Sequence, residues 1–259
     1  MTFQLVKRTG RESSGSVSTV STSRGAAQTH FGCHQGMSAD NHPAQPPTGV
    51  GLAGLREAAA GCRACELWEP ATQTVFGEGP ETARVVFVGE QPGDQEDRRG
   101  EPFVGPAGRL LDKALDDAGI DRRDAYITNA VKHFRFTPTP KRRIHQSPGA
   151  EHLRACRPWL EAEFAVLQPE VVVCLGAVAA KALISPSFRI TKDRGQLLPW
   201  TPPGSVVADP ADDDEDAPHQ TWMLATAHPS AVLRTPEDAR PAAYDALVAD
   251  LRVVAAALA

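Results

Sequence analysis

The stretch KRRIHQSPG, residues 141–149, sets one imidazole, His145, behind three cations, Lys141, Arg142 and Arg143. Clustered cations hold phosphate. A histidine adds acid–base or nucleophilic capacity near neutral pH. A second reactive set is GCRAC, where Cys62 and Cys65 stand at the C-x2-C spacing that grips one metal ion or one edge of a cluster. Zinc, an iron–sulfur cluster and a redox dithiol all use that spacing. Cys156 of ACRPW is a suitable third thiol, and the fourth ligand is either His133 of VKHF or Cys174 of VVVCLG. Cys174 lies inside an apolar run, where a buried thiol with no ligand role is the commoner outcome; His133 could equally be a histidine bonded to the backbone. The loop GEQPGDQEDRRGEPFVGPAG, residues 89–108, carries Glu90, Gln91, Asp94, Glu96, Asp97 and Phe103 among glycines that let backbone N–H groups approach a phosphate or a base edge. It has neither GxGxxG nor GK[ST], so it is not a common nucleotide-binding loop. Solvated charge accounts for its acids, and core packing for Phe103, without any site.

Such groups work only if elements position them. RVVFVGE (84–90) predicts a buried strand, and GPAGRLLDKALDDAG (105–119) a helix with Leu110, Leu111, Ala114, Leu115 and Ala118 on one face. DAYITNAVKH (124–133) reads as the next strand, followed by a loop containing KRRIHQ. GAEHLRACRPWLEAEFAVLQP (149–169) reads as a helix that Pro158 kinks or breaks. EVVVCLG (170–176) and TWMLATAHPS (221–230) are further strands, the first followed by the helix GAVAAKALI. A short helix, GLAGLREAAAGC, leads into Cys62, and DARPAAYDALVADLRVVAAALA closes the chain as an amphipathic helix. This alternation predicts an α/β fold of three layers, a central parallel sheet with helices on both faces. Sites in such sheets form at the carboxyl ends of strands, where GEQPGD, TNAVKH and AHPS all fall.

Composition sets the bounds. The 259 residues are 41% hydrophobic and 23% charged, ordinary for a soluble globular chain. Residues 1–49, rich in Ser, Thr, Gly and Pro, are expected to form a disordered tail that includes Cys33, with one domain over 50–259. The basic start lacks the apolar stretch of a secretory signal, and no run is long enough to cross a membrane. The net charge is −5, but six acids stand together in DPADDDED (209–216), within an expected acidic surface insertion near 203–219. The remaining body is close to neutral, so a local cationic loop could still meet DNA. Five cysteines, an odd number, argue against a disulfide framework.

GEQPGD, EPFVGPAGRLL, YITNAVK and AHPS, in this order, resemble the iron–sulfur uracil-DNA glycosylases of family four over about residues 52–258. KRRIHQ narrows the resemblance to UdgX-type enzymes, which carry this insertion and capture uracil-containing DNA covalently. The resemblance implies a [4Fe–4S] cluster held by Cys62, Cys65 and Cys156. It favours His133 as the fourth ligand, because those enzymes have histidine where other members have cysteine. It implies excision of a flipped uracil, stacked on Phe103 and read by Asn129, whose amide offers both a donor and an acceptor. His228 would donate to the leaving uracil anion, Glu90 or Asp94 would favour the sugar cation or organise a water, and Gln91 would contact the base. His145 would attack the sugar carbon C1′ in place of water, giving a single-turnover DNA adduct. Arg142 and Arg143 would hold its pKa down and, with Lys141, grip flanking phosphates. The expected partner is uracil-containing DNA, single-stranded and possibly double-stranded, met by a monomer in the bacterial cytosol or nucleoid. Three other readings stay open: a conventional multiple-turnover glycosylase, a non-catalytic iron–sulfur DNA-damage binding module, and a zinc-binding interaction protein.

Overall fold

The computed structural model of the chain describes residues 42–202 and 220–259. The expectations for Cys33, for most of the 1–49 tail and for the 203–219 insertion lie outside those residues. Ala44 is buried against the core, and its N–H donates to Ala155 O at 2.9 Å.

The elements run α1 (Leu52–Ala59), β1 (Val85–Gly89), α2 (Asp94–Arg99), α3 (Pro106–Ala118), β2 (Ala125–Asn129), β3 (Phe136–Pro138), β4 (Arg143–His145), α4 (Ala150–Leu167), β5 (Val171–Leu175), α5 (Ala177–Leu183), α6 (Ile190–Asp193), β6 (Leu198–Trp200), β7 (Thr221–Thr226), α7 (Pro229–Arg234) and α8 (Arg240–Leu258). Five strands form one sheet in the order β2-β1-β5-β7-β6. The first four are mutually parallel, and β6 pairs antiparallel with β7 at the edge. The sheet is therefore mainly parallel rather than wholly so. The short LPW strand of β6 went unseen in the sequence because a three-residue run carries no periodicity to read.

The strands are apolar throughout because both faces are covered. Val86 and Val88 point into a core shared with α1, α4 and α5, whereas Val85 and Phe87 point into a second core shared with α3, α7 and α8. In β5, Val172 and Cys174 face the first core and Val171, Val173 and Leu175 the second. Three layers result. Among the described residues, no helix is long and apolar enough to cross a membrane.

Three local expectations need correction. Pro158 does not break α4, which runs through it from Ala150 to Leu167. Buried Ala155, Trp159, Leu160 and Phe164 anchor that helix on the sheet, and this packing outweighs the roughly 3 kcal/mol local cost of a missing N–H. The strand expected over 124–133 ends at Asn129. Beyond it, Ala130 and Val131 donate to the carbonyls of Gly89 and Glu90, and Lys132 O accepts from Val75, so the chain crosses the end of β1. The stretch around KRRIHQ is no plain loop. β3 and β4 form an antiparallel ribbon with Phe136 opposite His145, Thr137 opposite Ile144 and Pro138 opposite Arg143.

Candidate active site

The carboxyl ends of β1, β2, β5 and β7 surround a cleft of ≈ 780 Å³. Glu90, Gln91, Phe103, Asn129, His145 and His228 all line it. Asp94, Lys141, Arg142 and Arg143 do not stand on its wall.

Close packing of backbone brings the floor together. A Cβ on Gly89 would lie 2.3 Å from Asn129 Oδ1 and 2.8 Å from Phe103 Cζ, so only glycine lets these two side chains converge over the end of β1. Phe103 holds φ 55°, a left-handed conformation that costs a phenylalanine energy and is retained where the surroundings enforce it. Gly108 is part of that enforcement, since a Cβ there would sit 1.4 Å from Phe103 O. The Phe103 ring lies near-parallel to the His228 ring, centroids 5.7 Å apart and planes at 29°. Two buried oxygens beside it, Glu90 Oε1 and Asn129 Oδ1, have no hydrogen-bond partner among the described residues. Buried acceptors without donors are costly, and their convergence on one cleft marks it as built for a donor-bearing ligand.

Hydrogen bonds determine which nitrogen of each imidazole carries the proton. His228 Nδ1 accepts from Ser230 N–H at 3.1 Å and lies 2.8 Å from Ser230 Oγ. Arg234 Nη1 donates to that Oγ at 3.0 Å, so the hydroxyl proton turns toward Nδ1. The neutral ring consequently carries its proton on Nε2. Burial drives its pKa down to about 4, with the charge of Arg234 and the His145 ring adding to the effect. At neutral pH His228 is an uncharged donor.

His145 is arranged the opposite way. Gln91 Oε1 accepts from Arg135 N–H at 3.1 Å, which orients the amide, and Gln91 Nε2 faces His145 Nε2 at 2.9 Å. The same amide nitrogen also reaches Arg135 O and Gln146 O. His145 Nε2 must therefore present a lone pair, leaving the proton on Nδ1. Burial pushes its pKa below 6.5; Glu90 opposes this, and Arg234 reinforces it.

The expected role of Arg142 and Arg143 in that depression needs correction, because the cation acting on His145 is Arg234. Arg143 faces the protein. Its guanidinium lies over the rings of Phe134 and Phe136, at 5.3 and 4.8 Å, and pairs with Asp94 and with Asp97 at 2.6 Å. Asp97 is wholly buried and also accepts from Thr72 N–H and Oγ1. Arg143 thus spends its donors inside the fold. Burial alone would raise the Asp94 pKa, but bonds from Arg98 and Arg143 hold it below the usual carboxylate range. Both Asp94 and Arg143 position the ribbon on α2. Lys141 and Arg142 remain exposed.

Behind the cleft lie the thiols. Cys65 and Cys156 are buried, Cys62 is half-buried, and burial raises the Cys65 and Cys156 thiols to about 11 and about 12, with neighbouring thiols adding to it. Trp159 Nε1 donates to Cys62 Sγ and Lys132 N to Cys156 Sγ, each at 3.2 Å. Such N–H···S bonds support thiolates bound to metal. Thr74 Oγ1 donates to Ala59 O and so accepts from His133 Nε2–H at 2.9 Å, which leaves the lone pair of the neutral ring on His133 Nδ1. Burial drives the His133 pKa to about 4, keeping it neutral. Cys174 stands apart on β5, with its Sγ against Met223 Sδ at 3.8 Å. Among the described residues, no three His, Cys, Asp or Glu side chains converge on a point fit for one metal ion. Three thiols, two of them accepting N–H bonds, and a neutral imidazole are a donor set that an iron–sulfur cluster or a zinc ion could use.

Sequence reasoning missed Arg234, Ser230 and Thr74, and it read Asp97, which is wholly buried, as a solvated loop charge. HPSAVLR held a signal for the first two, since a serine two residues after a helix-capping histidine can bond back to it. Asp97 and Thr74 have no local signal, as their partners lie 46 and 59 residues away.

A family model described as "Uracil DNA glycosylase superfamily" matches residues 76–252. The chain is 42% identical over 143 residues to the type-4 uracil-DNA glycosylase of Thermotoga maritima, covering 54% of this chain and 69% of that protein. It is 36% identical over 182 residues to the type-4 uracil-DNA glycosylase of Pyrobaculum aerophilum, covering 70% and 84%. A type-5 uracil-DNA glycosylase of the same organism is 32% identical over 148 residues, covering 51% and 62%.

Proposed function

Because the chain belongs to the uracil DNA glycosylase superfamily, we propose that it excises uracil from DNA and that His145 then bonds to the sugar it exposes. The carrying observation is the convergence of Glu90 Oε1, Asn129 Oδ1 and a neutral His145 on one cleft.

A flipped uracil stacks on Phe103, and its N3–H donates to the bare Asn129 Oδ1. His228 Nε2–H donates to a uracil carbonyl. As the C1′–N1 bond breaks, its electron pair leaves with the base, and that donor stabilises the developing anion. Glu90 offsets the positive charge left on the sugar. The lone pair of His145 Nε2, released from Gln91, forms a new bond to C1′; the Nδ1 proton of the resulting imidazolium passes to solvent. A carbon–nitrogen bond of this kind offers water no easy leaving group, so the protein reacts once. Cys62, Cys65, Cys156 and His133 would hold a [4Fe–4S] cluster that braces α1 and the 130–133 crossing behind the cleft; its contribution is structural.

The multiple-turnover reading draws equally on the relatives' names, and Glu90 Oε1 could orient a water as readily as a sugar cation. A denaturing gel separates the two readings. Uracil-containing oligonucleotide incubated with protein should give a slow-migrating adduct that the thymine-matched control does not, and free uracil should plateau near one per protein. Continued uracil release with no adduct supports the conventional enzyme, and neither product refutes both.

A further inference from the structure

The cleft and the thiols do not account for the outer face of the β3–β4 ribbon. The pleat of β4 places Arg143 and His145 on the side of Phe134 and Ile144 on the other, with both His145 and Ile144 exposed to solvent. Ile144 is 40% exposed; among the described residues, the only other exposed large hydrophobic is Trp222, on β7. A single exposed isoleucine is ordinary on a protein surface. The location of this one is not, since it adjoins His145 in sequence and that ring lines the mouth of the cleft.

Two further features distinguish the spot. Lys141 and Arg142, just before it, are exposed and form no ion pair with an acid among the described residues, so both are free to meet phosphates. The ribbon is also rigid. Thr139 N and Oγ1 donate to Arg142 O at 3.0 and 2.6 Å, closing the turn, and Arg143 ties the strand to α2 through Asp94 and Asp97. An apolar side chain on a rigid, cation-flanked base beside a base-flipping cleft suits one task, which is filling the gap that a departing base leaves in a stack. Isoleucine is β-branched and loses little rotamer freedom in doing so.

We propose that Ile144 is a wedge for duplex DNA, entering the base step vacated when the uridine swings into the cleft. This rests on the uracil-excision reading above. A single strand has no such paired gap to fill, so the contribution should appear on duplex alone.

The test compares single-turnover rates of uracil loss from one sequence, single-stranded and as a U·A duplex, for the full chain and for Ile144→Ala and Ile144→Leu. Ile144→Ala should slow the duplex reaction about fivefold to tenfold, as expected for removing the outer carbons from an apolar contact. The single-strand rate should stay within about twofold, and Ile144→Leu should restore the duplex rate. Because the side chain is exposed, thermal stability should be unchanged. Equal slowing on both substrates, an unaffected duplex rate, or a wild-type chain active on the single strand but inert on duplex would overturn the proposal. A second readout is independent of cleavage: 2-aminopurine beside a 2′-fluorinated uridine, which resists excision, should brighten in duplex on binding wild type and less with Ile144→Ala. If uracil is lost from neither substrate, the excision reading fails, and this fluorescence comparison still decides the wedge.

Discussion

At the residue scale, the two imidazoles of the cleft differ in the nitrogen they expose. His228 offers a donor because Ser230 occupies its Nδ1, whereas His145 offers a lone pair because the Gln91 amide faces its Nε2. Replacing His145 with Ser should abolish the denaturation-resistant adduct while leaving measurable free-uracil release, since Glu90, Asn129 and His228 are untouched. Both rings must stay uncharged, which sets the pH dependence. Burial lowers both pKa values, so adduct formation should be level above pH 6.5 and fall only as acid protonates the depressed His145. Arg234→Gln should move that falling limb to higher pH, whereas Arg142→Ala should leave it in place; rate–pH profiles check both. Stability follows the same sign. A folded His228 with a pKa near 4 takes up its proton later than an unfolded one at 6.5, so stability is lost as pH falls through that window. These tautomers could not be read from sequence. KRRIHQ suggested that its own arginines tune His145, but the acting cation, Arg234, lies 89 residues on and was brought near by the fold.

At the element scale, Arg143 clamps the ribbon that carries His145. Its side chain is 16% exposed and that of Asp97 0%, so Arg143→Ala would leave a buried carboxylate unpaired and should cost about 3 kcal/mol in denaturant unfolding. The adduct rate should fall by more than the thermal loss explains, because His145 loses its fixed approach to C1′. The strand cores and the major helices were legible in the sequence. RVVFVGE and EVVVCLG are apolar on both faces, and GPAGRLLDKALDDAG has a single apolar stripe. What escaped depends on distant partners. The ribbon forms where Phe136 meets His145 across nine residues, and α2 lies in a loop whose glycines hid six helical residues. Pro158 escaped for the complementary reason, since tertiary packing of α4 overrode a strong local breaker.

At the scale of the whole molecule, four strand ends deliver the cleft, and the thiols lie behind it, where α1, α4 and the 130–133 crossing meet. Lys132 joins the two regions: its backbone N–H reaches Cys156 Sγ, and its Nζ holds the carbonyl of Asn129 at 3.0 Å and pairs with buried Glu163 at 2.5 Å. Loss of the thiol site should therefore loosen Asn129 by weakening the fold around it. Cys62→Ala should abolish the visible absorption of an iron–sulfur protein and lower the melting temperature, with activity falling in proportion to unfolding; a stable but inactive variant would give the cluster a direct chemical role. The measurement that bears most directly on the account is mass spectrometry of the protein after reaction with uracil-containing DNA, followed by nuclease and protease digestion. The account predicts a deoxyribose remnant on the peptide bearing His145, localised to that imidazole. An unmodified His145 peptide from protein that has released uracil would contradict it.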